Sequence, residues 1–193
     1  MDTSNLMSNQ DVKQFFVRDA DLVVFDTEYT SLEFDKSELL EIGLVKLKAK
    51  TFEVMAEDDI KIRPTHIETA DQASLEVVGY DKEEWEREAM DLRLALEKFL
   101  SYTDQCVLVA HNLPADWMMI RRAVEEVGLK ENFYYKGIDT FSLAFAKLAN
   151  EPDFERYSLG ELTKYFGVDE GQKHRAIDDA RATAEVFKHL INL

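Results

Sequence analysis

Two hydrophobic periods alternate along this chain. Leu22, Val23, Val24 and Phe25 form an unbroken apolar run, the mark of a buried strand, and residues 39–47 are a second β-like run. Ile60, Lys61, Ile62 and Arg63 alternate as a third strand until Pro64 stops it, and Thr51 to Val54 extend the turn before it. Three early strands with short links predict an antiparallel meander. From Asp81 the period becomes helical. Asp81 and Glu84 have the spacing of a capping box, and Leu92, Leu96, Phe99 and Leu100 recur on one face, so a long helix is expected. Residues 106–110 read as another buried strand. Met118, Met119, Arg122, Ala123 and Val127 read as a helix closed by Gly128. A fifth strand is expected near 137–139, a helix over 141–148, a helix capped by Ser158 with Glu161 and ending near Gly167, and a last helix over 175–191.

That order predicts a single α/β or α+β domain: a mixed five-stranded sheet with an antiparallel edge and helices on both faces. The chain of 193 residues has no internal repeat and no Gly/Pro-rich linker, so one domain is expected over 21–193, behind a polar arm over 1–20. An apolar share of 46% with 11% aromatics fills a sizeable core and excludes a disordered chain. The single Cys106 lies in an apolar run, so a buried thiol and a reducing compartment are expected. With no basic leader and no apolar stretch approaching the roughly 20 residues of a membrane span, a cytoplasmic protein is expected. Charge adds a constraint: 23 basic against 39 acidic residues give −16, which argues against tight, sequence-independent binding to a nucleic-acid backbone. Such acidity is either a solvated surface or includes carboxylates gathered to hold divalent cations, and position decides which.

Three places offer chemistry. Asp26 and Glu28 follow the first strand two residues apart, so both side chains point to one side if the strand continues through them. A solvated strand end is the plainer reading of that pair alone. The segment His111-Asn112-Leu113-Pro114-Ala115-Asp116 follows the fourth strand. Asp116 there is either a dipole-favoured acid in a first helical turn or part of a site at a strand end. In His174-Arg175-Ala176-Ile177-Asp178-Asp179-Ala180, Asp179 falls on the edge of the apolar stripe and Asp178 falls toward Arg181 and Glu185. An acid on a buried edge is costly unless paired or metal-bound, which makes Asp179 the better candidate. His174 alone reads as an ordinary loop residue.

In order, the chain presents Phe-Asp-Thr-Glu at 25–28, His-Asn-x-x-x-Asp at 111–116 and His-x-x-x-x-Asp-Ala at 174–180. This pattern closely resembles the DEDDh exonucleases, the family that includes the proofreading subunit of bacterial replicative polymerases, ribonuclease T, oligoribonuclease and mammalian three-prime repair exonucleases. Leu40-Glu41-Ile42-Gly43, Ile138-Asp139-Thr140 and Tyr157-Ser158-Leu159 are further echoes, and the likeness spans about residues 20–190. The resemblance implies a ribonuclease H-like fold. It implies that Asp26, Glu28, Asp116 and Asp179 hold two Mg²⁺ or Mn²⁺ ions and that His174 is the general base of a 3′→5′ exonuclease releasing 5′-mononucleotides. Four crowded carboxylates resist full ionisation, and hard divalent cations relieve that repulsion.

The likeness has departures. Tyr29-Thr30-Ser31-Leu32 stands where many relatives have Thr-Thr-Gly and an apolar residue, and Ala115 replaces the usual Phe before the third acid. The resemblance places substrate contacts at Thr27, Tyr29, Leu32, His111 and Asn112. Packing is the alternative for Tyr29 and Leu32, and shaping of the strand-to-helix turn is the alternative for His111 and Asn112. The expected partners are single-stranded DNA or RNA 3′ ends, with a homodimer or a protein partner left open. The chain ends directly after its last helix, which favours a stand-alone enzyme over a tethered proofreader. The competing readings are a catalytically silent module of the same fold that binds nucleic-acid ends or a protein, and an acidic interaction domain without nucleotide chemistry.

Overall fold

The computed structural model describes residues 15–33, 35–152, 154–172 and 174–193. The sheet is built on β1 (Leu22–Tyr29), whose side chains alternate between two cores. β2 (Leu39–Leu47) and β3 (Val54–Lys61) continue it antiparallel on one side, and β4 (Val107–Ala110) and β5 (Ile138–Asp139) continue it parallel on the other. The spatial order is β3-β2-β1-β4-β5, the mixed sheet with an antiparallel edge that the sequence order predicts.

Among the described residues seven α-helices cover it: α1 (Gln72–Val78), α2 (Lys82–Glu88), α3 (Leu92–Thr103), α4 (Leu113–Glu126), α5 (Thr140–Leu148), α6 (Leu159–Phe166) and α7 (Ala176–Ile191). Val23 and Phe25 of β1 pack with Leu96 and Phe99 of α3 and Met119 and Ile120 of α4. Leu22 and Val24 face the other way, onto Ile177, Ala180, Ala184 and Phe187 of α7. This parity fixes the site, because β1 continues without a break through Asp26, Thr27 and Glu28. Even-numbered side chains continue toward α7, and Thr27 continues toward α4.

Gly43 lies opposite Asp26 in β2. A Cβ there would overlap the backbone of Ala176 and Ile177, so the missing side chain is what lets the first turn of α7 lie against the sheet.

Three boundaries differ from expectation. β3 begins at Val54 rather than near Ile60, since its first half runs three apolar residues, Val54, Met55 and Ala56, into the acids Glu57 and Asp58 at the edge of the sheet, with no alternation to read. The long helix expected from Asp81 is two, α2 and α3. Between them Met90 pairs with Ile62 as a short parallel bridge, and Asp91 begins the second helix. The capping box at α2 is half formed. Asp81 accepts the Glu84 N–H at 2.8 Å, while the Glu84 carboxylate turns to Lys61 and Arg175. α1 is the third difference, a helix unanticipated from the sequence. The box at α6 is complete, with Ser158 and Glu161 capping each other's backbone. The expected arm lies largely outside the described residues; its described end is a 3₁₀ turn over Val17–Asp19.

Candidate active site

The sheet brings the three motifs to one end of β1. Asp26 and Glu28 project toward α7, whose first turn contains Asp179. Carboxylate oxygens of Glu28 and Asp179 and a ring nitrogen of His174 all lie within 4.8 Å of one another. His174 sits just before α7 in a left-handed conformation, φ 61°, and its N–H donates to Asp179 Oδ2 at 3.1 Å. The backbone at the histidine and the acid one turn on are thereby tied together.

Asp116 arrives from the opposite layer. It lies in the first turn of α4 and is buried. Thr27, on the α4-facing side of β1, donates both its N–H, at 2.9 Å, and its hydroxyl, at 2.7 Å, to Asp116 Oδ1. The Thr27 side chain is itself buried, so its hydroxyl orients an acid of the cluster rather than facing the cleft.

Burial and crowding hold protons on these acids. Asp26 is pushed well above the usual carboxylate range, first by burial and then by the charges of Asp116, Glu28, Asp179 and Glu41. Glu28 is raised to about 8 by burial, then by Asp179 and Asp116. Burial lifts Asp116 to about 7 against the two hydrogen bonds from Thr27, and it lifts Asp179 against the N–H of His174. The same crowding reaches Tyr29, whose hydroxyl is raised to about 12 by burial and by Asp116, Glu28 and Asp26. These acids ionise together only beside compensating positive charge. Their hard oxygens suit Mg²⁺ or Mn²⁺, so the residues present fit a divalent-ion site.

Two clefts meet at His174. One, of about 380 Å³, is lined by Asp26, His111, Glu170, Asp179 and the start of α6. The other, of about 310 Å³, is lined by Glu28, Tyr29, Leu32, Asp71 and the α1 residues Ser74 and Val77. Leu32 stands on its rim, 73% exposed. Burial lowers the pKa of His111, and its Nδ1 lies 3.0 Å from the Thr140 hydroxyl. Asn112 adopts the left-handed conformation, φ 67°, as N-cap of α4, and its N–H donates to Asp139 Oδ1 at 3.0 Å. Shaping of the strand-to-helix turn is therefore the visible work of Asn112.

Asp178 points elsewhere. It pairs with Arg181 at 3.0 Å and accepts the Gln172 N–H at 3.1 Å. The neighbour that sequence reading passed over is Arg175. Its guanidinium lies 3.2 Å from Glu41, 3.4 Å from Asp59 and 3.5 Å from Glu84. Glu41 is fully buried and stands opposite Glu28 in the ladder, so this ion pair joins the backbone beside His174 to the strand next to Glu28. The adjacency of Arg175 to His174 was the available signal, but the sequence does not show which acid it meets. The wall formed by α1 was also missed, although Asp71 and Gly79 bracket it as N-cap and left-handed C-cap. Among the described residues no helix is long and apolar enough to cross a membrane.

A family model for exonucleases, RNase_T, matches residues 23–187. A DNA polymerase III of PolC type from Thermotoga maritima is 32% identical over 176 residues, covering 91% of this chain and 12% of that protein. The corresponding Caldanaerobacter subterraneus protein is 34% identical over 174 residues, with 88% and 11% covered. The chain thus spans a small fraction of the length of these relatives. Among solved structures, exonuclease I superposes with a TM-score of 0.79 at 14% identity, over 90% of this chain and 41% of that one. The nuclease domain of 3′hExo, a DEDDh family member bound to rAMP, gives 0.70 at 17% identity, over 89% and 92%. At such identities these two matches speak to the fold, which is the ribonuclease H-like exonuclease fold.

Proposed function

Because the chain belongs to the exonuclease family that the RNase_T model describes, we propose that it is a divalent-metal-dependent 3′→5′ exonuclease that trims single-stranded ends to 5′-mononucleotides. The observation that supports this most is the meeting of Glu28, His174 and Asp179 within 4.8 Å, beside Asp26 and Asp116, whose carboxyls are raised first by burial and, for Asp26, also by the neighbouring acids.

Asp26, Glu28, Asp116 and Asp179 would hold the metal, two Mg²⁺ or Mn²⁺ ions in this reading. Bound ions supply the positive charge that lets the acids ionise and that stabilises charge developing on the phosphate. His174 takes the proton of the attacking water. The water oxygen bonds to phosphorus, the bond to the 3′ oxygen of the preceding nucleotide breaks, and the terminal nucleotide leaves with its 5′ phosphate. Thr27 holds Asp116 in register with β1 throughout. Tyr29 and Leu32 line the cleft on the Glu28 side, where the terminal nucleotide would lie, and His111 lines the one on the Asp26 side.

The net charge of −16 leaves little long-range attraction for a polyanion, so binding rests on contacts around the metal-filled site. The curated relatives are polymerases, which makes association with a polymerase the partner reading that similarity supports. The test is a ladder. 5′-labelled single-stranded DNA and RNA are incubated with the protein in Mg²⁺, Mn²⁺ or EDTA. Stepwise shortening of labelled strands that stops in EDTA is expected, and it also reads the sugar preference. Metal-independent loss of label, or no shortening with either ion, would overturn the reading.

A further inference from the structure

Next to the Asp26-side cleft lies a band of aromatic rings that the hydrolytic chemistry leaves unused. His111 on its wall touches Thr140, the first residue of α5, and hydrogen-bonds the backbone of Tyr157. Tyr157 immediately precedes Ser158 and Leu159, which line the same cleft. Its ring lies 5.6 Å from Phe145 and 6.5 Å from Phe141, both edge-on, and stacks on Phe154 at 5.1 Å. Phe141 is 42% and Phe145 55% exposed. Four residues apart, they lie on one face of α5, about 6 Å from each other along its axis. Exposed neighbouring Phe rings on a helix whose buried residues already fill the core behind it are not needed for folding.

Charge selects the occupant. Among the described helices α5 alone has no carboxylate, and its only charged residue is Lys147, in a chain of net charge −16. A helix without acids beyond its N-cap Asp139, placed beside the catalytic cleft, suits a polyanion better than the rest of this acidic chain does. Aromatic faces suit bases, since every base offers a ring to stack on whatever its sequence.

We propose that Phe141, Phe145 and Tyr157 form a stacking platform for the bases of the single strand upstream of its 3′ end. The proposal rests on the exonuclease reading and adds where the strand runs. A dinucleotide fills the cleft and is too short to gain from the platform, whereas a ten-nucleotide strand gains from it.

The test compares kcat/KM for a decamer with kcat/KM for a dinucleotide, in the wild type and in Phe145→Ala and Phe145→Leu. Leucine keeps apolar bulk on the helix, so a loss shared by both variants reports the ring. In both, the decamer-to-dinucleotide ratio is expected to fall roughly ten-fold, the scale of one lost base stack. A ratio unchanged from the wild type would overturn the platform while leaving the exonuclease reading standing, and would leave the face to a protein partner. A ratio lowered in Phe145→Ala but restored in Phe145→Leu would also overturn it, because bulk rather than stacking would then be at work. A wild type that hydrolyses neither substrate overturns the exonuclease reading, and the platform with it.

Discussion

Thr27 donates two hydrogen bonds, from its N–H and its hydroxyl, to a single oxygen of Asp116, 89 positions along the chain. The pair ties the first turn of α4 to the end of β1 that carries Asp26 and Glu28. Thr27→Val removes the hydroxyl bond and keeps the shape, and a bond to a charged group is worth about 1.5–3 kcal/mol. Turnover at limiting Mn²⁺ should therefore fall roughly ten-fold or more in Thr27→Val and stay near wild type in Thr27→Ser, which retains a hydroxyl. Equal activity of Val and Ser variants in a Mn²⁺ titration of the rate would show that this bond does not orient the acid.

Gly43 is predicted to be intolerant of even one methyl group. The Cβ of Gly43→Ala would meet the backbone of Ala176 and Ile177, and backbone cannot rotate away as a side chain can. Overpacking of this kind costs about 1–3 kcal/mol, or about 2–12 °C in Tm for a domain of this size. Displacement of α7 also moves Asp179 from Glu28, so activity should fall beyond what lost stability explains. Calorimetry and the initial rate, both taken well below the variant's Tm, check the two parts; an unchanged Tm would contradict the close approach.

His174 stands within reach of the acids as either proton acceptor or ligand. As general base, its replacement by Ala should lower kcat by roughly 10²–10⁴-fold and leave Mn²⁺ affinity nearly unchanged. Titration calorimetry with Mn²⁺ separates these roles, for a variant that loses affinity in proportion to rate would make His174 a metal ligand.

Crowded acids make the metal-free protein sensitive to alkali. Glu28, raised to about 8, and Asp116, raised to about 7, keep protons in the folded chain that the unfolded chain has already released near the ordinary values of 4.5 and 3.8. Their contribution to stability is present below those ordinary values and is lost as pH rises through the folded ones. In EDTA the Tm should decline between about pH 5.5 and about pH 8.5, and Mg²⁺ or Mn²⁺ should raise it most at the alkaline end, where protons no longer compete. A Tm in EDTA that is flat or rises over that interval would contradict this.

Much of this site was legible before any coordinates. The two-residue spacing of Asp26 and Glu28 and the inward edge of Asp179 follow from strand and helix periods, and both hold in the structure. What was not legible depends on contacts between distant segments. Thr27 reads as a substrate contact until α4 is seen lying against β1. Arg175 gives no sign of its partner until buried Glu41 is placed beside it. The break between α2 and α3 comes from the pairing of Met90 with Ile62, which local helical periodicity does not encode. α1 is too short, at seven residues, for its apolar positions to establish a period.

The assignment of the acids is tested most directly by Mn²⁺ binding to Asp179→Asn and Asp178→Asn, measured beside the nuclease rate of each. Asp179 faces Glu28 and His174, whereas Asp178 is engaged by Arg181 and the Gln172 N–H. Asp179→Asn should lose both saturable Mn²⁺ binding and turnover, with Asp178→Asn keeping most of each. Comparable binding and activity in the two variants, or greater damage from the Asp178 change, would contradict the proposed metal site.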